Sequence, residues 1–297
     1  MVEVCTVGTG AMKPFPGRWV ASLYICCNGY GILTDCGEGT QIALAESHIS
    51  IHKIDTICIT HFHGDHILGL PGLLMSMGNS DRKEPVTIMG PAGLKDTVKG
   101  LLTVVNWLPF ELNLVEFNKE EGNLKAGPYI IEYFKVKHRV PCYSYRFRIP
   151  RAGKFEPEKA LLNNVPKEYW SRLQKGEKIE GYNQSMILGP ERKGISIVYS
   201  TDTESVDIIA EYAREADLFI SEGTYGDEEK IQKAMEYGHM TFCQAAELGR
   251  KAEAKRMWLT HFSPAMLHPE EYIEKAELIF PGIEPATDGK KISLDYD

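Results

Sequence analysis

Six consecutive residues, His61-Phe62-His63-Gly64-Asp65-His66, hold three of the chain's nine histidines and an aspartate. They follow the apolar run Ile54–Thr60, which reads as a buried strand. Imidazoles and a carboxylate packed this tightly beyond a rigid strand form a metal-ligand pattern, because a metal needs donors that the scaffold holds in place. Packing alone gives no reason for such a cluster. Three further candidates close later apolar runs: His138 ends "EYFKVKH", Asp202 ends "ISIVYSTD" and His261 ends "RMWLTH". Taken singly, His138 or His261 also reads as a hydrogen-bonded core or turn residue. Together, His61, His63, Asp65, His66, His138, Asp202 and His261 supply enough donors for two metals of about four to five ligands each, with one carboxylate bridging. The set contains no cysteine, which fits a catalytic centre better than a closed structural zinc site. Nitrogen and oxygen donors favour two Zn2+, and they also suit Mn2+ or Fe. His48, His52 and His268 lie in polar helix-end contexts and carry no functional reading.

The elements that would position these donors can be read along the chain. Strands are expected at Val2–Val7, Trp19–Cys27, Gly31–Asp35, Ile54–Thr60, Glu84–Gly90, Tyr129–Lys137, Cys142–Ile149, Gly194–Asp202, Ala216–Tyr225 and Ala254–Phe262. Helices are expected after "GEGT", from Gly69, after Pro91, in "ESVDIIAEYARE" and over Thr241–Ala252. The first half is rich in strands and the second alternates strand and helix. That pattern predicts two sheets packed face to face with helices outside, as one domain over 1–297. Residues 151–194 are polar and weakly periodic, and they read as an insertion with one or two short helices. The donors fall at the ends of strands, where a sheet presents its loops along one edge.

The 297 residues are 43% hydrophobic and 25% charged, as in a globular protein. No stretch approaches the roughly 18 apolar residues of a spanning helix. The N-terminus lacks the basic segment of a secretory signal. The seven cysteines contain no C-x-x-C pair and read as reduced thiols, so a cytoplasmic protein with no membrane contact is expected. A net charge of −8 argues against indiscriminate coating of nucleic acid. One window departs from that balance: Tyr133–Phe155 has no acidic residue and holds Lys135, Lys137, Arg139, Arg146, Arg148, Arg151 and Lys154. Phe134, Tyr143, Tyr145 and Phe147 interleave with these cations. Phosphate contact plus base stacking would suit single-stranded RNA, although an alternating strand also shows a charged face to water.

These motifs are recognisable. "THFHGDH" resembles the signature of the metallo-β-lactamase superfamily. The longer "GTG...DCGEGTQ...THFHGDHILGLPGLL" resembles the ribonuclease Z branch, as do "HRVPCYSYRF", "SEGTYGDE" and "GHMTFCQAAELGRKA...LTHFS". The likeness runs from about Val4 to Leu294. It implies an α/β fold, an αββα four-layer sandwich carrying a dinuclear zinc site. His61, His63 and His138 would hold one metal, Asp65, His66 and His261 the other, and Asp202 would bridge. Glu222 and His239 would serve proton transfer, and Asp65 would also orient the nucleophile. From the sequence alone, His239 also reads as a helix cap and Glu222 as a surface carboxylate. Asp35 could accept an imidazole N–H and orient a ligand, or could cap the following helix.

The chain departs from the family pattern in four places. Ser200-Thr201-Asp202-Thr203 stands where Gly-Asp-Thr is usual. "PFPGRW" replaces a Pro-x-Lys-x-Arg-Asn loop, keeping only Arg18 of its polar residues. Ser221 and Met240 replace a histidine and a serine. Residues 151–194, where the family has a tRNA-gripping arm, lack its Gly-Pro element.

The function this implies is phosphodiester hydrolysis through a metal-bridging hydroxide, two metals about 3.5–4 Å apart bringing the pKa of a shared water toward ~7. The substrate would be precursor tRNA, cut after the discriminator region, and the protein could be a homodimer with each arm serving the partner's site. A small-molecule hydrolase on the same scaffold, acting as a phosphodiesterase, arylsulfatase-like or lactonase-like enzyme, is the alternative. An RNA-binding scaffold without activity would need a broken site, and no ligand is missing.

Overall fold

In the computed structural model, which describes residues 1–105 and 107–296, fourteen strands form two seven-stranded sheets. The first sheet comprises β1 (Val2–Gly8), β2 (Ser22–Cys27), β3 (Tyr30–Thr34), β4 (Ile54–Cys58), β5 (Val86–Gly90) and β6 (Leu112–Glu116), with β14 (Lys290–Leu294) beside β1. The second runs β13-β12-β11-β10-β9-β8-β7. Its strands are β7 (Glu121–Ala126), β8 (Tyr129–Val136), β9 (Cys142–Arg151), β10 (Arg192–Ser200), β11 (Leu218–Glu222), β12 (Met257–Thr260) and β13 (Ile283–Pro285). Both sheets are mixed. β1, β2 and β3 pair antiparallel, whereas β3 through β6 are parallel. In the second sheet β7 to β9 pair antiparallel and β10 to β13 are parallel.

Parallel strands need crossovers, and helices supply them. Beside the first sheet lie α1 (Thr40–Glu46), α2 (Gly64–Ile67), α3 (Leu70–Asn79) and α4 (Leu94–Leu101). Leu44, Leu73, Leu74 and Val98 from these helices join Leu33, Ile57 and Ile88 in one cluster. The chain then enters α5 (Pro157–Leu162) and α6 (Lys167–Gln174), and continues through α7 (Asp207–Tyr212), α8 (Ile231–Tyr237), α9 (Phe242–Lys251) and α10 (Glu274–Ile279). Ile209, Ala245, Leu248 and Ala276 pack with Val198, Phe219 and Met257 of the second sheet. The alternate residues Ile32, Ile197, Leu218 and Ile220 are equally buried but belong to neither helix cluster. They face the other sheet, as the two-residue period of a strand requires. Tyr145 donates its hydroxyl to the Ile59 carbonyl at 2.6 Å, and Tyr129 to that of Tyr30 at 3.2 Å, tying the inner faces together. This is the expected αββα sandwich.

The chain divides into two compact units. One holds 1–148 and 196–295; the other holds 149–195 with Tyr296. The smaller unit contains α5, α6 and a core of its own, formed by Ala160, Val165, Leu173, Ile187 and Leu188 with Trp170 packed against it.

The strands end where the chemistry begins. Asp35 follows β3, the His61–His66 run follows β4, His138 follows β8, Asp202 follows β10, Glu222 ends β11 and His261 follows β12. Asp35, Asp202 and His261 have φ of 60°, 30° and 59°. A left-handed residue turns the chain sharply off its strand, and side chains other than glycine adopt it at a cost that functional sites often carry. His48, His52 and His268 are exposed, as their polar contexts suggested.

Candidate metal centre

Three imidazole nitrogens converge at the first half of the site. His61 Nε2 lies 2.9 Å from His63 Nδ1, and His138 Nε2 lies 3.3 Å from the same atom. The opposite nitrogens settle which tautomers these are. Thr60 donates its hydroxyl to Asp35, so its lone pair receives the His61 Nδ1–H at 3.0 Å. His138 Nδ1–H donates to the Gly238 carbonyl at 2.8 Å. The inward nitrogens of His61 and His138 are therefore lone pairs. Burial is the largest influence on all three rings and lowers their pKa, which keeps them neutral. The His61 and His138 lone pairs converge on His63 Nδ1, an arrangement of donors that a bound cation would fit.

The second half is built likewise. His66 Nδ1–H donates to Asp35 Oδ2 at 2.8 Å, and His261 Nδ1–H to Thr224 Oγ1 at 3.1 Å. Their buried Nε2 atoms have no hydrogen-bond partner. Both point at carboxylates. His66 Nε2 is 3.2 Å from Asp202 Oδ1 and 3.5 Å from Asp65 Oδ2; His261 Nε2 is 3.0 Å and 3.6 Å from the same two atoms. The other oxygen of Asp202, Oδ2, faces His61 and His138 at 3.6 Å and 3.7 Å. One carboxylate thus turns an oxygen to each half. Burial opposes its charge, but His261, His66 and His61 outweigh that and hold its carboxyl well below the usual range. Burial likewise disfavours a charged His261, yet Asp202 outweighs it and pushes that imidazole up to about 10.

The ligating atoms fall into groups that each lie within 4.8 Å: His61, His63, His138 and Asp202; Asp65, His66 and His261; and Asp202, His239 and His261. All seven residues singled out as metal donors come together, and His239 stands beside them. The orphaned Nε2 atoms and the facing lone pairs fit a pair of divalent cations.

Asp35 is fully buried and serves both halves, holding His66 directly and His61 through Thr60. It does not cap α1, whose cap position is Gly39. Glu222 is not a surface carboxylate but is fully buried. Its Oε1 accepts from Thr203 N at 2.7 Å and His239 Nδ1 at 3.0 Å, and its Oε2 accepts from Thr224 Oγ1 at 2.6 Å. It therefore sits behind His239, which lines the cleft. Burial disfavours a charged His239, but Glu222 outweighs that and raises its pKa above the ordinary imidazole value. The loop carrying His239 is anchored by the Thr241–Gln244 capping box at the start of α9.

Two departures from the family pattern touch each other. Ser221 Oγ lies 4.0 Å from Met240 Sδ, so a small residue replaces a large one beside the point where a large one replaces a small one. Arg18 donates to the carbonyls of Met266 at 2.6 Å and Leu267 at 2.8 Å, which ties it to the loop after His261.

The basic window is mostly neutralised. Lys135 pairs with Glu120, Lys137 with Glu204, and Arg146 and Arg148 with Glu132. Phe134, Tyr145 and Phe147 have no exposed surface and Tyr143 has 7%, so none can stack a base. Alternation put these rings into the core, and sequence charge counting could not see their neighbours' acids.

A model of the β-lactamase superfamily domain matches residues 30–262. A ribonuclease Z of Lachnoclostridium phytofermentans is 50% identical over all of this chain and 99% of its own, and one of Lachnospira eligens is 46% identical over the same shares. The chain belongs to the ribonuclease Z family of the metallo-β-lactamase superfamily. The crystal structure of the human tRNase Z short form is similar throughout, with a TM-score of 0.72 and 27% identity over 99% of this chain and 100% of that one. Family membership places the paired donor groups on a scaffold whose relatives include ribonucleases.

Proposed function

We propose that this chain is a metal-dependent endoribonuclease that removes 3′ trailers from precursor tRNA. It would cut after the discriminator region, leaving a 3′-hydroxyl on the tRNA and a 5′-phosphate on the trailer. The observation that carries this reading is the complete two-part donor set, centred on Asp202, in a chain 50% identical end to end to a ribonuclease Z.

His61 Nε2, His63 Nδ1 and His138 Nε2 would hold one ion, and Asp65, His66 and His261 the other, with Asp202 shared. Zn2+ suits this nitrogen-rich set best, ahead of Mn2+ or Fe. When bound, such a pair polarises phosphoryl oxygens and lowers the pKa of water. Asp65 takes a hydrogen bond from Met12 N on Oδ2 at 2.6 Å, so Oδ1 is left to orient the attacking water. His239 faces the cleft and would give a proton from its Nε2 to the leaving 3′-oxygen, while Glu222 holds the ring in place through Nδ1. The smaller unit, within which the 151–194 segment falls, would grip the tRNA, and a homodimer would let that unit serve a partner's site. Seven free cysteines support a reducing compartment, the cytoplasm.

The test is cleavage of a 3′-extended precursor tRNA with Zn2+ or Mn2+ supplied and His63→Ala as control. One cut after the discriminator nucleotide, lost in the variant, is the expected result. Hydrolysis of bis(p-nitrophenyl) phosphate with no cut in the tRNA would overturn it in favour of a small-molecule hydrolase, the reading that the altered PFPGRW loop and the missing Gly-Pro element favour.

A further inference from the structure

The cleft above the donor set measures about 600 Å³ and carries two cations on its wall, Arg139 and Lys233. Arg139 belongs to the basic window, but unlike Lys135, Lys137, Arg146 and Arg148 it has no carboxylate within ion-pair distance among the described residues. Lys233, on α8, has none either. Both are exposed. Each rests on an aromatic ring. The Arg139 guanidinium lies 5.6 Å from the centre of Tyr237, and Lys233 Nζ lies 5.9 Å from that of Tyr225. A ring face holds a cation in position without cancelling its charge. In a chain of net charge −8, two cations without an ion-pair partner among the described residues, on the wall of this cleft beside α8, call for an anionic ligand.

We infer that Arg139 and Lys233 form a clamp for backbone phosphates next to the scissile one. The inference rests on the ribonuclease reading and adds to it which residues engage the non-reacting backbone. The ligand class is a polynucleotide: a compound with a single phosphate has nothing to offer a second cation once that phosphate lies at the metals. Arg139 directly follows His138, so its backbone position is fixed by a donor of the site.

The test compares Arg139→Gln, Lys233→Gln and the double variant as loaded enzymes. Their kcat/KM is measured on precursor tRNA across salt concentrations and on bis(p-nitrophenyl) phosphate. Removing one cation from its phosphate should flatten the slope of log kcat/KM against log salt by about 0.7 to 1. Each substitution should lower the ratio of tRNA to diester activity by about tenfold. Arg139→Lys, which keeps the charge, should restore the slope; a purely structural role for the guanidinium predicts no such rescue. An unchanged slope in the double variant, or equal losses on both substrates, overturns the clamp. If the unsubstituted enzyme hydrolyses the diester but leaves the tRNA intact, the ribonuclease reading itself fails and takes the clamp with it.

Discussion

Asp35 is the residue on which both halves of the donor set depend. It accepts the His66 Nδ1–H and, through Thr60, fixes the His61 Nδ1–H, so one buried carboxylate sets a tautomer on each side. Asp35→Asn keeps the size but offers an amide where two donors need an acceptor. Metal binding should weaken by about 10- to 100-fold, measured by titration calorimetry with Zn2+; an unaltered affinity would remove Asp35 from this role. His239 and Glu222 act as a unit, so their losses should not add. His239→Ala should cost about 10² to 10⁴ in kcat with metal content retained, and adding Glu222→Gln should cost nothing further. Additive losses would mean that Glu222 works by another route, and loss of an ion in His239→Ala would make that ring a ligand. The local cluster from His61 to His66 was legible because its donors are neighbours in sequence. Glu222 is singled out only by the resemblance, since the sequence alone reads it equally as a surface carboxylate: Thr203 and Met240, which bond it in the core, are brought around it by the fold.

At the scale of elements, the site depends on how closely the turn after β3 approaches the loop after β4. A Cβ on Gly37 would lie 1.8 Å from the Asp65 carbonyl oxygen, and one on Gly69 would lie 1.9 Å from that of Gly37. These glycines let two backbones touch beneath the donors. Gly37→Ala must push Asp65 and His66 outward. The expected result is destabilisation of about 1–3 kcal/mol in urea unfolding, together with loss of bound metal. Full metal content with an unshifted midpoint would show that the approach is not required. The strands that carry donors were readable because they are long apolar runs. β6, β7, β13 and β14 had no counterpart in the sequence pattern. β7 (Glu-Gly-Asn-Leu-Lys-Ala) is a half-exposed strand at the sheet's edge, and β13 spans three residues, too short for any period to show. α8 and α10 have no counterpart for the same reason, since each is short and buries little: Ala234 in one and Ala276 in the other.

At the scale of the whole molecule, the site falls within one of the two compact units. Every donor, Asp35, Glu222, His239 and both proposed clamp cations lie in the unit formed by 1–148 and 196–295. The sequence marked 151–194 as distinct because polarity rises and periodicity fades there. It could not show that the segment gathers its own apolar core around Leu173 and Ile187. The segment's two ends meet, since Gly189 N donates to the Lys154 carbonyl at 2.8 Å and a Cβ on Gly153 would stand 2.0 Å from the Gly189 oxygen. Phe155–Leu188 can therefore be replaced by a short glycine-containing turn without stretching the chain on either side. Metal content and hydrolysis of bis(p-nitrophenyl) phosphate should survive this excision, because no residue of the site is removed. Cleavage of precursor tRNA should fall by about 10²-fold, the lower end of what a second, tethered binding surface adds. The proposal that this unit grips the tRNA requires that split. Equal retention of both activities would make the unit a bystander, and equal loss of both, with metal gone, would make it part of the support for the sandwich.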